Sequence, residues 1–116
     1  MSEELSATYP ATPEASAGLS QERVFAALAL DKRRTILRLL LERGPMGVQE
    51  VSAVFRRQET LMGRHLITLA NAGLVTPVLA PDGDGRRQYY RIPKNVVGKD
   101  AAGRTVLDYG CVVVRV

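Results

Sequence analysis

The stretch "GRHLITLANAGLV", residues 63–75, decides the fold of this chain. Its apolar residues recur at the three- and four-residue spacing of a helix, and Gly73 is a typical helix-ending residue before the strand-like "LV". This pattern predicts a helix over about residues 60–72, followed by a strand. The buried side of that helix is predicted to consist of Met62, Leu66, Leu69 and Ala70. The other side is predicted to carry Leu61, Arg64, His65 and Thr68.

Three helices are predicted before this one. Ser20 is placed to cap "QERVFAALAL", and Asp31 is placed to cap "KRRTILRLLLER", which ends at Gly44 and Pro45. The third segment, "VQEVSAVFRR", leads through a turn into the helix described above. Apolar residues at helical spacing predict the inward faces of these helices. They are Val24, Phe25 and Leu28 in the first helix, Ile36, Leu37, Leu40 and Leu41 in the second, and Val48, Val51, Val54 and Phe55 in the third.

A β-hairpin is predicted directly after the helices. "LVTPVLA" is strand-like, and Pro77 within it favours an edge strand or a bulge because proline donates no hydrogen bond to a sheet. "PDGDG" has the glycines of a tight turn, and "RRQYYRI" alternates like a returning strand. Three to four helices followed by a hairpin define an α+β winged helix-turn-helix. In that fold the second helix of a pair enters the major groove of DNA, and the hairpin, or wing, lies on the backbone alongside.

Composition and charge divide the chain into three parts. Residues 1–19 are rich in Ser, Ala, Thr, Pro and Glu and have no apolar period, so we expect a disordered acidic tail. Residues 20–93 are the predicted winged-helix domain, and residues 94–116 are a predicted β extension. All 16 basic residues follow residue 19, together with nine of the 12 acidic ones, which gives that part a net charge of +7. A small basic domain favours a polyanionic partner, most often nucleic acid.

Candidate contacts with double-stranded DNA lie in two places. On the fourth helix, Arg64 suits a phosphate or a guanine edge, and Gln58 suits an adenine. In the wing, Arg86 and Arg87 follow the flexible turn and suit phosphate contact or insertion into the minor groove. Ordinary solvated surface charge is the alternative interpretation of these arginines. The complete predicted interface comprises Arg57, Gln58, Thr60, Arg64, His65, Thr68, Arg86 and Arg87.

Residues 24–92 resemble the ArsR/SmtB family of winged-helix transcriptional repressors. The matching stretches are "LALDKRRTILRLL", "VQEVSAVF", "GRHLITLANAGLV" and "GRRQYYRI", in the family's order and at its spacing. The resemblance implies a dimeric DNA-binding repressor of a palindromic operator, with residues 60–72 as the recognition helix and residues 80–88 as the wing. The chain departs from the family at Leu61 and Gly63, where members usually carry small polar residues.

No cofactor, metal site or catalytic site is expected. The single Cys and the single His, Cys111 and His65, are far apart in sequence, whereas metal-sensing sites need several thiolates or clusters of His, Asp and Glu. Cys111 lies in an apolar run and is expected to be a buried, inert thiol. The sequence has no glycine-rich phosphate loop and no pattern of nucleophile and histidine, which argues against an enzyme. It has no apolar run long enough for a membrane span, and its one cysteine favours the cytoplasm.

The segment "GRTVLDYGCVVVRV" near the C-terminus is predicted to be a strand, bent at Gly110 and preceded by a turn at residues 100–103. An unpaired strand of this composition invites aggregation, so it has to pair. We expect it to contribute to a homodimer together with the first helix, and pairing within the monomer is the alternative.

A second function is also compatible with the sequence. A winged-helix module can bind proteins instead of DNA, and Leu61 and Gly63 make the exposed helix face partly apolar. The sequence does not identify the operator or a small-molecule effector.

Overall fold

The structure, a computed structural model, describes residues 20–83, 85 and 87–115, so the predicted acidic tail lies outside the described residues. The helices are α1 (Gln21–Leu28), α2 (Asp31–Arg43), α3 (Val48–Phe55) and α4 (Glu59–Asn71). The strands are β1 (Met46–Gly47), β2 (Thr76–Leu79), β3 (Gln88–Arg91), β4 (Val97–Lys99), β5 (Thr105–Asp108) and β6 (Val113–Arg115). A 3-10 turn, Lys94–Val96, precedes β4. The predicted winged helix-turn-helix is confirmed.

The helix boundaries follow local capping chemistry, with one exception. The hydroxyl of Ser20 accepts a hydrogen bond from the backbone N–H of Arg23 at 3.4 Å, as predicted for a cap. The prediction that Asp31 caps α2 is wrong, because Leu30 occupies the cap position and Asp31 is the first helical residue. There its carboxylate suits the positive end of the helix dipole. Gly44, with a φ of 83°, ends α2 as predicted.

Two of the predicted inward-facing side chains point to solvent instead. Phe25 is 51% exposed and Val54 is 40% exposed. In α1 the core-facing positions are occupied by Val24 and Ala27, and in α3 a core-facing position is occupied by Val51. One residue corresponds to about 100° of rotation, which carries a neighbouring side chain off the core-facing stripe.

The first sheet has the strand order β1-β3-β2 and is antiparallel throughout. Pro77 lies in β2, the edge strand that its missing N–H favours. Strand β1 was not predicted, because two residues are too few to show a period. It pairs Met46 with Tyr90 and Gly47 with Tyr89, and it thereby attaches the start of α3 to the wing.

The second sheet, β4-β5-β6, pairs entirely within the chain. The prediction of one bent strand is wrong: the chain reverses at Gly110, where φ is 90°, and β6 returns antiparallel to β5. Pairing within the monomer, the alternative interpretation, therefore describes these strands. Cys111 is only partly buried and packs against the core.

The C-terminal sheet and the helices share one hydrophobic core. Leu107 and Val114 belong to the same buried cluster as Ile36 and Leu66. Tyr109 is 2% exposed, and its hydroxyl donates a hydrogen bond to the carbonyl oxygen of Leu74 at 2.8 Å. Burial raises the pKa of Tyr109, so this hydroxyl stays protonated and can donate. The bond joins the second sheet to the chain immediately after α4.

We expect Tyr109→Phe to lower the free energy of unfolding by about 1–3 kcal/mol, because it leaves a buried carbonyl without its donor. Urea denaturation followed by circular dichroism measures the change. Tyr90→Phe is the matched control, because no hydrogen bond of the Tyr90 hydroxyl is found among the described residues. Equal stability of the two variants would contradict the structural role of the Tyr109 bond.

Candidate nucleic-acid interface

The turn between α3 and α4 projects two arginines into solvent. Arg56 has a φ of 54°, the left-handed conformation, and is the one non-glycine residue in the described part of the chain with positive φ. The backbone N–H groups of Arg56 and Arg57 both reach the carbonyl oxygen of Ser52, which closes the end of α3. Glycine is the usual residue at such a position. An arginine there places positive charge at the tip of the helix-turn-helix.

Helix α4 buries the stripe that the sequence predicts. Met62, Leu66 and Leu69 are fully buried, and Ala70 packs against the core. The opposite surface is a line of exposed residues at i, i+4, i+7 and i+11. We call this line the exposed ridge, and it comprises Thr60, Arg64, Ile67 and Asn71.

The ridge differs from the predicted polar side of the helix. Thr60 and Arg64 lie on it, as expected, whereas Thr68 is half-buried and lines a cleft against α1 with Ala26. Ile67 and Asn71 were missed by the sequence analysis. The helical periodicity could have identified them, since Asn71 lies about 170° and Ile67 about 130° from the centre of the leucine stripe when residues are placed at 100° intervals.

His65 is a correction to the predicted interface. It is 9% exposed, and its Nδ1 accepts a hydrogen bond at 3.2 Å from Nε of Arg33 on α2. The same guanidinium donates to the carbonyl oxygen of Ala26 on α1 at 3.3 Å. His65 lies about 65° from the centre of the buried stripe formed by Met62, Leu66 and Leu69, at the edge of the core-facing side. It therefore connects α4 to α2 and, through Arg33, to α1.

The surroundings of His65 favour its neutral form. Burial, and then the positive charges of Arg33 and Lys32, lower the pKa of its imidazole. A donor at Nδ1 is compatible only with an imidazole that keeps its proton on Nε2. Protonation of Nδ1 would break the bond and bring three positive charges together.

The wing is held against α3 by charged and phenolic groups. The Arg87 guanidinium donates to the carboxylates of Glu50 at 3.2 Å and Asp82 at 3.3 Å and to the Tyr89 hydroxyl at 2.7 Å. The Tyr89 hydroxyl in turn donates to Glu50, and this hydrogen bond is the largest cause of the lowered pKa of the Glu50 carboxyl. Arg87 is thus hydrogen-bonded within the protein, and its predicted contact with phosphate stays a prediction. Arg86 lies outside the described residues.

The remaining predicted contacts surround the start of α4. Arg57, Gln58 and Thr60 are exposed, and Gln58 occupies the cap position without a side-chain cap hydrogen bond. Within residues 20–83, 85 and 87–115, neither Arg57 nor Arg64 forms an ion pair with a carboxylate. These groups are therefore available to an external partner.

Neither a metal cluster nor a membrane helix is found among the residues that the structure describes. No three His, Cys, Asp or Glu side chains there are grouped so that they could hold a metal ion. None of the helices there is long and apolar enough to cross a membrane.

Comparison with solved structures finds similar winged-helix domains. A crystal structure of a fragment of a possible transcriptional regulatory protein from Mycobacterium bovis is 33% identical, with a TM-score of 0.54, and the match covers 64% of this chain and 75% of that one. A solution structure from the same organism, described as the homodimeric winged helix-turn-helix DNA-binding domain of a possible ArsR-family transcriptional regulator, is also 33% identical. Its TM-score is 0.56, and the match covers 64% of this chain and 65% of that one. No family model and no curated protein matches the chain.

We expect the stability of the protein to fall as the pH is lowered from about 7.5 to 5.5. The pKa of His65 is lower in the folded state than its ordinary value of 6.5. The unfolded chain therefore binds the proton first, and this binding lowers its free energy relative to that of the folded chain in this range. His65→Gln should flatten this part of the profile, because the chain has no other histidine and glutamine can still accept from Arg33. Urea titrations at several pH values measure it. The same slope in both proteins would contradict the assignment.

We expect Gly63→Ala to raise the free energy of unfolding by up to about 1 kcal/mol, because alanine is the better helix former. A Cβ at this position would lie 3.8 Å from a methyl group of Val48, an ordinary contact. Gly47→Ala is the contrasting variant, since its Cβ would lie 2.9 Å from the Tyr89 ring and from the Glu50 carboxylate. Thermal denaturation measures both. A loss of stability in Gly63→Ala would show that the glycine is required there.

Proposed function

We propose that this chain, which belongs to the ArsR family of winged helix-turn-helix proteins, is a sequence-specific DNA-binding transcriptional regulator that acts as a repressor in the cytoplasm. The observation that carries the proposal is the exposed ridge of α4. It bears hydrogen-bonding and cationic side chains and lies opposite a stripe that is fully buried. A helix anchored in this way can enter the major groove without losing its own packing.

The charges around α4 support a polyanionic partner. Arg56, Arg57 and Arg64 are exposed over nine residues that contain one acidic residue, Glu59. Arg56 and Arg57 at the turn suit phosphates, which fix the position of a protein on DNA. Arg64, one turn into the helix, suits the N7 and O6 acceptors of guanine.

A homodimer on a palindromic operator is the second part of the proposal. One of the similar domains is described as homodimeric. In this chain, Phe25 on α1 and Val113 on β6 are large apolar side chains that are about half exposed, and a second copy would cover such groups. Two-fold symmetry would place the two α4 helices roughly 34 Å apart, one turn of DNA.

The alternative is a module that binds another protein through α4. Leu61, which is 41% exposed, is the residue that favours it. A partner held by apolar contact would tolerate the loss of the arginines, whereas a DNA duplex would not, so the same variants separate the two functions.

We expect Arg64→Ala to weaken binding of duplexes selected from a randomised pool by about 5- to 150-fold, the range for loss of a bidentate base contact. Arg57→Ala should weaken binding of all sequences alike and lower the slope of log affinity against log salt by about one. Fluorescence anisotropy at several salt concentrations measures both effects.

Arg38→Ala is the control, because it removes the same charge from an exposed arginine of α2 that faces Val97 and Thr105 of the second sheet. Its affinity should stay close to that of the unmodified protein. Binding that is weak and independent of sequence even at low salt would refute the proposed function. Equal losses in Arg38→Ala and Arg64→Ala would refute the role of the ridge.

A further inference from the structure

Ile67 is an apolar side chain in the middle of a polar ridge. It is 52% exposed, whereas the same helix buries Leu66 and Leu69 completely. Its neighbours along the ridge are Arg64 and Asn71, and both are exposed. A single exposed isoleucine needs no explanation by itself, but its alignment with groups suited to base contact does.

The spacing along the helix fits neighbouring base pairs. Arg64 and Ile67 are three residues apart, or about 4.5 Å along the helix axis. Successive base pairs are about 3.4 Å apart along DNA. If α4 lies in the major groove, Arg64 and Ile67 therefore face the same base pair or adjacent ones.

The chemistry of the groove then restricts what Ile67 can contact. An isoleucine side chain neither donates nor accepts hydrogen bonds, so it cannot read the N7, O6, O4 or amino groups of the base edges. The C5-methyl group of thymine is the apolar group that base edges present in the major groove. An apolar side chain forms neither a hydrogen bond nor an ion pair with a phosphate, so a phosphate is not its partner.

We propose that Ile67 is a specificity-determining residue of this protein and that it recognises the C5-methyl group of a thymine in each half-site. The inference rests on the proposed function, because it assumes that α4 enters the major groove. It adds a base preference at a position where the sequence analysis placed no contact.

A protein partner is a poorer fit to the surroundings of Ile67. Leu61, the other exposed aliphatic residue of α4, lies six residues away and is therefore about 120° around the helix from Ile67. The ridge between and beyond them carries Thr60, Arg64 and Asn71, which are polar or charged. Apolar docking surfaces for proteins are contiguous over several hundred square ångströms. One aliphatic side chain among polar groups matches one methyl group better.

The test removes the methyl group from the DNA and the side chain from the protein, separately and together. Duplexes are first selected from a randomised pool with the full-length protein. Each thymine of the selected half-site is then replaced by deoxyuridine, which lacks only the C5-methyl group. Fluorescence anisotropy gives the affinities of the unmodified protein, Ile67→Ala and a control, Val97→Ala, which truncates an exposed aliphatic residue on β4. Circular dichroism confirms that the helix content of each variant is unchanged.

For one thymine per half-site, the unmodified protein and Val97→Ala should lose about four-fold in affinity per half-site on replacement by deoxyuridine, the effect of burying one methyl group. Ile67→Ala should bind the thymine duplex less tightly and show less than about a two-fold difference between the two bases. Such a coupling identifies a direct contact, because an indirect effect of either change would leave the two losses independent.

Two results would overturn the inference while leaving the proposed function intact. The first is that the protein binds the selected DNA preferentially, but replacing any thymine by deoxyuridine changes the affinity of the unmodified protein and that of Ile67→Ala by the same factor. The second is a selected half-site without thymine. If the unmodified protein prefers no sequence over the random pool, the proposed function itself fails, and the inference fails with it.

Discussion

The packing of α4 into the domain is the constraint on which the other features depend. Met62, Leu66 and Leu69 have no exposed surface, and removing such side chains from water is the main favourable contribution to folding. Because these positions recur every three or four residues, their burial fixes the rotation of the helix about its axis. That rotation turns Thr60, Arg64 and Ile67 outward, so the core determines which residues a partner can reach.

The arginines of this chain fall into two groups: some are paired within the protein, and others are exposed without such pairs among the described residues. Arg33 and Arg87 are held by His65 and by Glu50, Asp82 and Tyr89, and they fix helices and wing relative to one another. Arg57 and Arg64 form no such pairs in the part of the chain that the structure describes. A net positive charge therefore does not by itself identify the side chains that meet an anionic partner.

The C-terminal sheet is part of the same folded unit as the helices. Leu107 and Val114 enter the common core, and the Tyr109 hydroxyl donates a hydrogen bond to the carbonyl oxygen of Leu74, just after α4. A long-range bond of this kind ties the segment after α4 to residues that follow the wing. The position of α4 thus depends on chain that lies far from it in sequence.

The sequence alone determined the helices, the wing and the stripe of α4, because apolar periodicity and glycine or capping residues act within a few positions. It also located the exposed Thr60 and Arg64. Only the tertiary structure decided that His65 is buried and that Arg87 is paired within the protein. It also decided that the last strands form a sheet within the chain. The reason is physical: His65 and Arg87 are held by Arg33 and Glu50, which lie 32 and 37 residues away, and no local pattern specifies such contacts.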